Sequence, residues 1–190
     1  MNVGRHRAWG WALLVSLLLH AWSKGETYRW EMLWGCHVAT ALMAAGFLAG
    51  SARAIAVGFL FHVALGFPMW IIECITKWWI SPTSILVHTL PLAAGGFDVR
   101  RRGLSRHSAL LAWSLYVALF PVSAWLAPPE LNVNLAHAPW GFFRSYISQL
   151  WVFQAGASAL TLALLLAWER ALGRWLGSAD RGPVATSAPD

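Results

Sequence analysis

Residues 54–76 read AIAVGFLFHVALGFPMWIIECIT, a 23-residue run whose only titratable side chains are His62, Glu73 and Cys74. About 20 consecutive, mostly apolar residues are what a helix needs to cross the hydrocarbon core of a bilayer. A helix is also the form that satisfies every backbone donor and acceptor within the segment itself. Working outward, the short Ser51-Ala52-Arg53 link joins this run to an apolar stretch at 31–50. Four more stretches follow the same rule, at about 8–23, 82–97, 108–127 and 146–171. The predicted fold is an all-α polytopic transmembrane bundle of six spans, one domain over residues 1–176. Residues 177–190 are read as a disordered cytoplasmic tail.

Composition supports a membrane environment. Of 190 residues, 58% are hydrophobic and 12% charged, against about 25% charged in soluble domains. The 14 tryptophans fit the headgroup boundary, where indole rings concentrate. A net charge of +6 would point to nucleic acid if the basic residues formed a stripe, but they fall between apolar runs. Their distribution tests the six spans. With a cytoplasmic N-terminus, inside segments hold Arg5, Arg7, Arg53, Arg100, Arg101, Arg102, Arg106, Arg170, Arg174 and Arg181. Outside segments hold Lys24, Arg29, Lys77 and Arg144, so the count is ten against four. Short loops rich in Lys and Arg stay on the cytoplasmic side. Both termini are therefore expected in the cytoplasm of a bacterial-type cell, with the chain in its inner membrane. The basic start, Met1 to Arg7, resembles a signal peptide, but no small-residue cleavage site follows, so it is read as a retained first helix.

Polar residues inside spans point to function, because burying them in lipid is expensive. On this map His20, Glu31, Cys36, His37, Glu73 and Cys74 lie toward the extracytoplasmic ends of their spans, with His62 deeper and His88 near mid-span. His62 and Glu73, eleven residues apart, return to nearly one face of a regular helix, with Gly66 and Pro68 between them. Ser84, His88, Pro91 and Gly95 share a second face, and Gln154, Ser158 and Thr161 form a weaker stripe. Cys36 and His37 are neighbours, about 100° apart on a helix, so both are not expected to point squarely into one pocket. A Cys36–Cys74 disulfide is compatible with the oxidising side of the membrane.

The loop Pro128-Pro129-Glu130-Leu131-Asn132-Val133-Asn134-Leu135-Ala136-His137 alternates asparagine with apolar residues. An extended conformation would put Asn132 and Asn134 on one side. The loop is predicted to fold over the outer mouth as a lid, with Asn132, Asn134 and His137 reaching a ligand.

The strings Trp34-Gly35-Cys36-His37-Val38-Ala39, Gly66-Phe67-Pro68-Met69-Trp70, Ser81-Pro82-Thr83-Ser84 through His88, and Pro129 through His137 resemble uncharacterised bacterial six-span inner-membrane proteins. That resemblance implies fold and location, without an activity. A cysteine on an early helix and a histidine two helices later, here Cys36 and His88, also resembles six-span intramembrane acyltransferases and hydrolases. It implies a nucleophilic Cys36 with His88 as its base; by triad logic Glu73 would then orient the imidazole.

Three readings follow. The first is a pocket in the extracytoplasmic half that binds or acts on a lipid-like or hydrophobic molecule, using His88, Glu73 and Cys36 with His62, His37, Asn132, Asn134 and His137. The second is a metal or haem site built on His62, His88 and Glu73, with His37 or His137 as further ligands. The third is a non-catalytic subunit or small transporter that packs against membrane lipids, a membrane-protein partner or a second copy. The residues do not decide whether the chain is an enzyme. A P-loop and a dinucleotide fingerprint are absent from the sequence.

Overall fold

The computed structural model describes residues 3–77 and 80–179. Among the described residues, seven α-helices and short helical turns account for the regular structure, with no strand. They are α1 (Val3–Lys24), α2 (Gly35–Ala49), α3 (Ala52–Phe61), α4 (Phe67–Lys77), α5 (Pro82–Arg102), α6 (Ser108–Leu126) and α7 (Leu150–Ala179). One π turn, His62–Gly66, joins α3 to α4, so the two run on as a single helix. Among the described residues, three helical segments, Ala52–Thr76, Ser108–Leu126 and Leu150–Leu176, are long and apolar enough to cross a membrane. Helix α2 is apolar but only 15 residues long.

Helix α3 is the hub. It packs on α2, α5 and α6, while α1 packs on α2 and α5. Phe47, Met43 and Leu13 interlock with Ile55 and Ala94 at the α1–α2–α3–α5 junction, all essentially fully buried. Close approach depends on small residues. A Cβ on Gly58 would stand 2.6 Å from the Ala39 carbonyl oxygen, and one on Gly95 would stand 2.6 Å from Met43 Cε. Helices α6 and α7 pack on each other at the periphery, with 22% and 17% of their apolar windows buried, against 61% for Ala52–Thr76. Leu160, Leu110, Val122, Trp125 and Trp151 are left on the outer surface. Apolar helix faces of this extent suit a lipid environment.

Several boundaries depart from the expected ones. The stretch predicted as a span from residue 31 begins as a 3-10 turn, Arg29–Leu33, and α2 starts only at Gly35. Trp34 is extended there (φ −53°, ψ 137°), and Glu31 is drawn away to pair with Lys24. The stretch predicted to end at 97 runs on to Arg102, where Gly103 (φ 77°) terminates it by donating its N–H to the Val99 carbonyl. Pro91 does not break this helix and is buried within it. The last helix starts at Leu150, because Gly141–Ser145 forms a 3-10 turn, and it continues to Ala179. Most of the tail predicted as disordered, from residue 180, lies outside the described residues.

The loop after α6 is not extended. Two 3-10 turns, Pro129–Leu131 and Val133–Leu135, place Asn132 (φ 43°) and Asn134 (φ 53°) in the left-handed region, which short polar side chains tolerate. The two asparagines therefore diverge. Asn132 folds the loop on itself: its Oδ1 accepts from the His137 and Ala138 N–H groups and its Nδ2 donates to the Ala138 carbonyl. Asn134 turns inward, to the start of α2.

Candidate functional site

At one end of the bundle α1 closes, α2 and α5 begin, and the π turn lies just beneath. Four histidines meet here: His20, His37, His62 and His88, each no more than 5% exposed. Their rings form a chain of contacts, with centroids 5.0 Å apart for His20–His37, 5.6 Å for His37–His88 and 5.9 Å for His62–His88. Cys36 completes the group. One ligand atom each from Cys36, His37 and His88 lies within 4.8 Å of the others.

Local chemistry holds each ring. His37 Nδ1 is 2.9 Å from the Glu31 carbonyl oxygen, His88 Nδ1 is 2.8 Å from that of Ser84, and His62 Nε2 is 2.9 Å from that of His88. A carbonyl only accepts, so in each case the ring nitrogen donates. For a neutral imidazole the tautomer is then fixed, and the opposite nitrogen carries a bare lone pair. His37 Nε2 and His62 Nδ1 are buried without a hydrogen-bond partner. A polar atom left unpaired in an apolar interior is costly, and a bound cation would satisfy it. Donation of the second ring N–H to a backbone carbonyl is also the usual support of metal-binding histidines.

Two further contacts orient His88. The Trp70 indole stacks on its ring, 4.9 Å between centroids and 7° from parallel, and Trp70 Nε1 donates to Ser84 Oγ at 2.8 Å. His20 Nδ1 lies 3.0 Å from Thr83 Oγ1, which also meets Ser23 Oγ. The loop closes the other side: Asn134 Oδ1 accepts from the Gly35 N–H at 2.9 Å, and its Nδ2 donates to the Leu33 carbonyl and Ser123 Oγ. Asn134 therefore fixes the backbone turn that presents Cys36 and His37.

The π turn breaks the regular helical phase that would set His62 and Glu73 on one face. Phe67 donates its N–H to the His62 carbonyl, five residues back, and Pro68 beyond it has no N–H to give. The extra residue in the turn rotates everything after it by about 100° relative to a regular helix. His62 is fully buried, whereas Glu73 is exposed yet within electrostatic reach of His20, Cys36 and His88. Gly66, inside the turn, is required by proximity: its Cβ would stand 3.0 Å from Cys36 Cβ and 3.1 Å from His62 Nδ1.

The structure thus gathers Cys36, His37 and His88 and places His62 directly behind them. Cys36 and His37 do reach one site, contrary to the helical-wheel expectation: each brings a ligand atom within 4.8 Å of one on His88, at the first turn of α2. Glu73 is outside the three-residue group. Asn132 and His137 are engaged within the loop, His137 Nε2 lying 3.2 Å from the Ala127 carbonyl oxygen. Cys36 and Cys74 are both free thiols. Gln154 reaches toward the Leu135 carbonyl and Ser158 accepts from Trp113 Nε1, so the α7 stripe binds the loop and α6 rather than this site. His20 was noted in the sequence by its depth and Trp70 only within a resemblance string, and neither was placed in the site. Their signal was positional, since both fall near the same end of their helices as His37 and His88.

One thiol and two imidazoles suit a borderline or soft transition metal. With Zn–N near 2.0–2.1 Å and Zn–S near 2.3 Å, a tetrahedral ion holds its ligand atoms roughly 3.3–3.8 Å apart. Side-chain adjustments of about 1 Å would bring the trio to that spacing. Haem fits poorly. Two axial histidines must face each other across the macrocycle, and here the rings pack directly on one another. Compared with known protein families, curated proteins and solved structures, the chain matches none.

Proposed function

We propose that this chain is a six-span protein of a bacterial inner membrane, with both termini cytoplasmic, that binds a transition metal through Cys36, His37 and His88. The observation that carries the reading is the convergence of these three ligand atoms within 4.8 Å, among histidines whose other nitrogens are already committed to backbone carbonyls. The arginine distribution supports the orientation, and it puts the site in the extracytoplasmic half. Exposed Trp22, Trp125 and Trp151 fall at the corresponding ends of α1, α6 and α7, where an interfacial belt is expected.

Three protein ligands leave a fourth position for water or a substrate, the arrangement that distinguishes catalytic zinc from structural zinc. A metal at this depth would act on a molecule reaching it from the lipid or the outer face. The lipid-like substrate expected from the sequence then belongs at that open position. The test is metal analysis of the full chain purified in detergent. Close to one equivalent of zinc or copper per chain is expected, falling to background in His88→Ala and Cys36→Ser and persisting in His137→Ala. A metal-free wild-type protein after purification in metal-replete, chelator-free buffer would sink the proposal.

A second reading is the thiol nucleophile implied by the likeness to intramembrane acyltransferases and hydrolases. It is favoured by the same closeness of Cys36 to His88. Against it, His88 Nδ1 is held by the Ser84 carbonyl, not by the carboxylate that would stabilise an imidazolium. Alkylation of Cys36 separates the two. Labelling that appears only after chelation supports the metal, whereas fast labelling indifferent to chelator supports the nucleophile.

A further inference from the structure

We propose a second site at the opposite end of the bundle, a cleft that binds the phosphate headgroup of an anionic phospholipid. The cleft, about 640 Å³, is enclosed by the last turn of α5, the 103–107 link and α7. Its lining includes Arg100, Arg101, Arg102 and Arg106 against one carboxylate, Glu169. That carboxylate is already engaged, since Glu169 Oε1 accepts from the Ala109 N–H at the start of α6, 3.1 Å away. Arg102 is engaged as well, its Nε lying 3.2 Å from the buried Asp98.

The remaining arginines are arranged to receive an oxyanion. The Arg100 guanidinium lies 5.9 Å from the centre of the Trp175 ring, and that of Arg101 lies 5.7 Å from the Phe97 ring. An arginine over an aromatic face keeps its N–H donors at the edge of the plane, free for the paired hydrogen bonds that phosphate accepts. Arg106 has no carboxylate partner among the described residues. Leu104 and Leu176 add apolar wall beside the charges. On the α7 side, a Cβ at Gly173 would meet nothing within 4 Å, so the cleft is open there. Basic pockets between helices at the cytoplasmic side are the physical form that lipid headgroup recognition takes. The apolar walls favour a lipid over a free anion.

The experiment titrates the full-length protein in detergent with phosphatidylglycerol or phosphatidylcholine and counts retained lipid by native mass spectrometry. One phosphatidylglycerol per chain is expected, with a preference of roughly tenfold or more over phosphatidylcholine. The double variant Arg101→Gln, Arg106→Gln should lower retention by roughly tenfold. Gly173→Phe, which fills the cleft without removing charge, should do the same. The pair Arg53→Gln, Arg170→Gln removes as much charge outside the cleft lining and should leave retention unchanged. Equal loss in that control pair, or full retention in both cleft variants, overturns the site. Saturable binding of inorganic phosphate without a preference between the two lipids overturns the lipid assignment in favour of the free anion.

Discussion

Asn134 holds three groups, the buried Gly35 N–H and Ser123 hydroxyl and the partly buried Leu33 carbonyl. No other side-chain type presents an acceptor and a two-hydrogen donor in this short, left-handed form. Asn134→Ala should therefore destabilise the fold by roughly 2–4 kcal/mol, given about 1–3 kcal/mol for each stranded polar group, read as a lowered thermal unfolding midpoint in detergent. Because Asn134 fixes the turn bearing Cys36 and His37, residual folded protein should also bind metal roughly 10–100-fold more weakly, the usual effect of losing a supporting contact. Asn132→Ala should loosen the loop without that loss of affinity, since its bonds stay within the loop. A similar loss of affinity in both variants would show that the loop acts as a whole and not through Asn134. Acid should release the metal, because thiol and imidazoles must be deprotonated to bind it.

Among the elements, the π turn at His62–Gly66 decides what α3 and α4 offer the site. Gly66→Ala forces a methyl to within about 3 Å of Cys36 and His62. It should cost about 1–3 kcal/mol from overpacking and lower the bound metal by displacing Cys36. The neighbouring glycines of α5 provide an internal contrast. Gly95→Ala meets Met43 and Phe59 at 2.6 Å and should be strongly destabilising, whereas Gly96→Ala meets Phe59 only at 3.7 Å. Gly96→Ala should be neutral or stabilising by up to about 1 kcal/mol, from helix propensity alone. Unfolding of the two variants in denaturant checks the ordering, and equal destabilisation would show that the α2–α3–α5 contact is looser than it is drawn. These helices were legible in the sequence as apolar runs. Their ends were not, because Trp34, Gly103 and the 141–145 turn are set by caps and tertiary hydrogen bonds to which hydropathy is blind.

For the whole molecule, the proposed topology makes the loops alternate across the membrane. Alkaline phosphatase fused after Glu26 or Glu130 should be active and exported, and after Arg53 or Arg106 inactive. Activity after Arg106 would break the six-span arrangement, and with it the extracytoplasmic position of the histidines. The weakly buried α6–α7 pair carries much of the outer apolar surface. Aromatic side chains concentrate near its ends, with Trp125, Trp151, Tyr146 and Phe142 all well exposed. A second copy or a partner subunit seated there would lie beside the loop that closes the site.

Hydropathy and charge alone determined that the described chain is helical and holds apolar segments able to cross a membrane, because lipid solvation acts on each segment separately. They also singled out Cys36, His37, His62 and His88, since an ionisable group in an apolar run is conspicuous wherever its helix packs. Which of them meet was decided only in three dimensions. The prediction placed His62 and Glu73 on nearly one face by assuming an unbroken 3.6-residue period, and it expected the neighbours Cys36 and His37 to diverge by about 100°. A π turn interrupts the regular period between His62 and Glu73, and Cys36 and His37 both bring a ligand atom within 4.8 Å of His88. A single residue of phase is worth about 100° on a helix. Only long-range packing sets that phase, so the site could not be composed from local pattern.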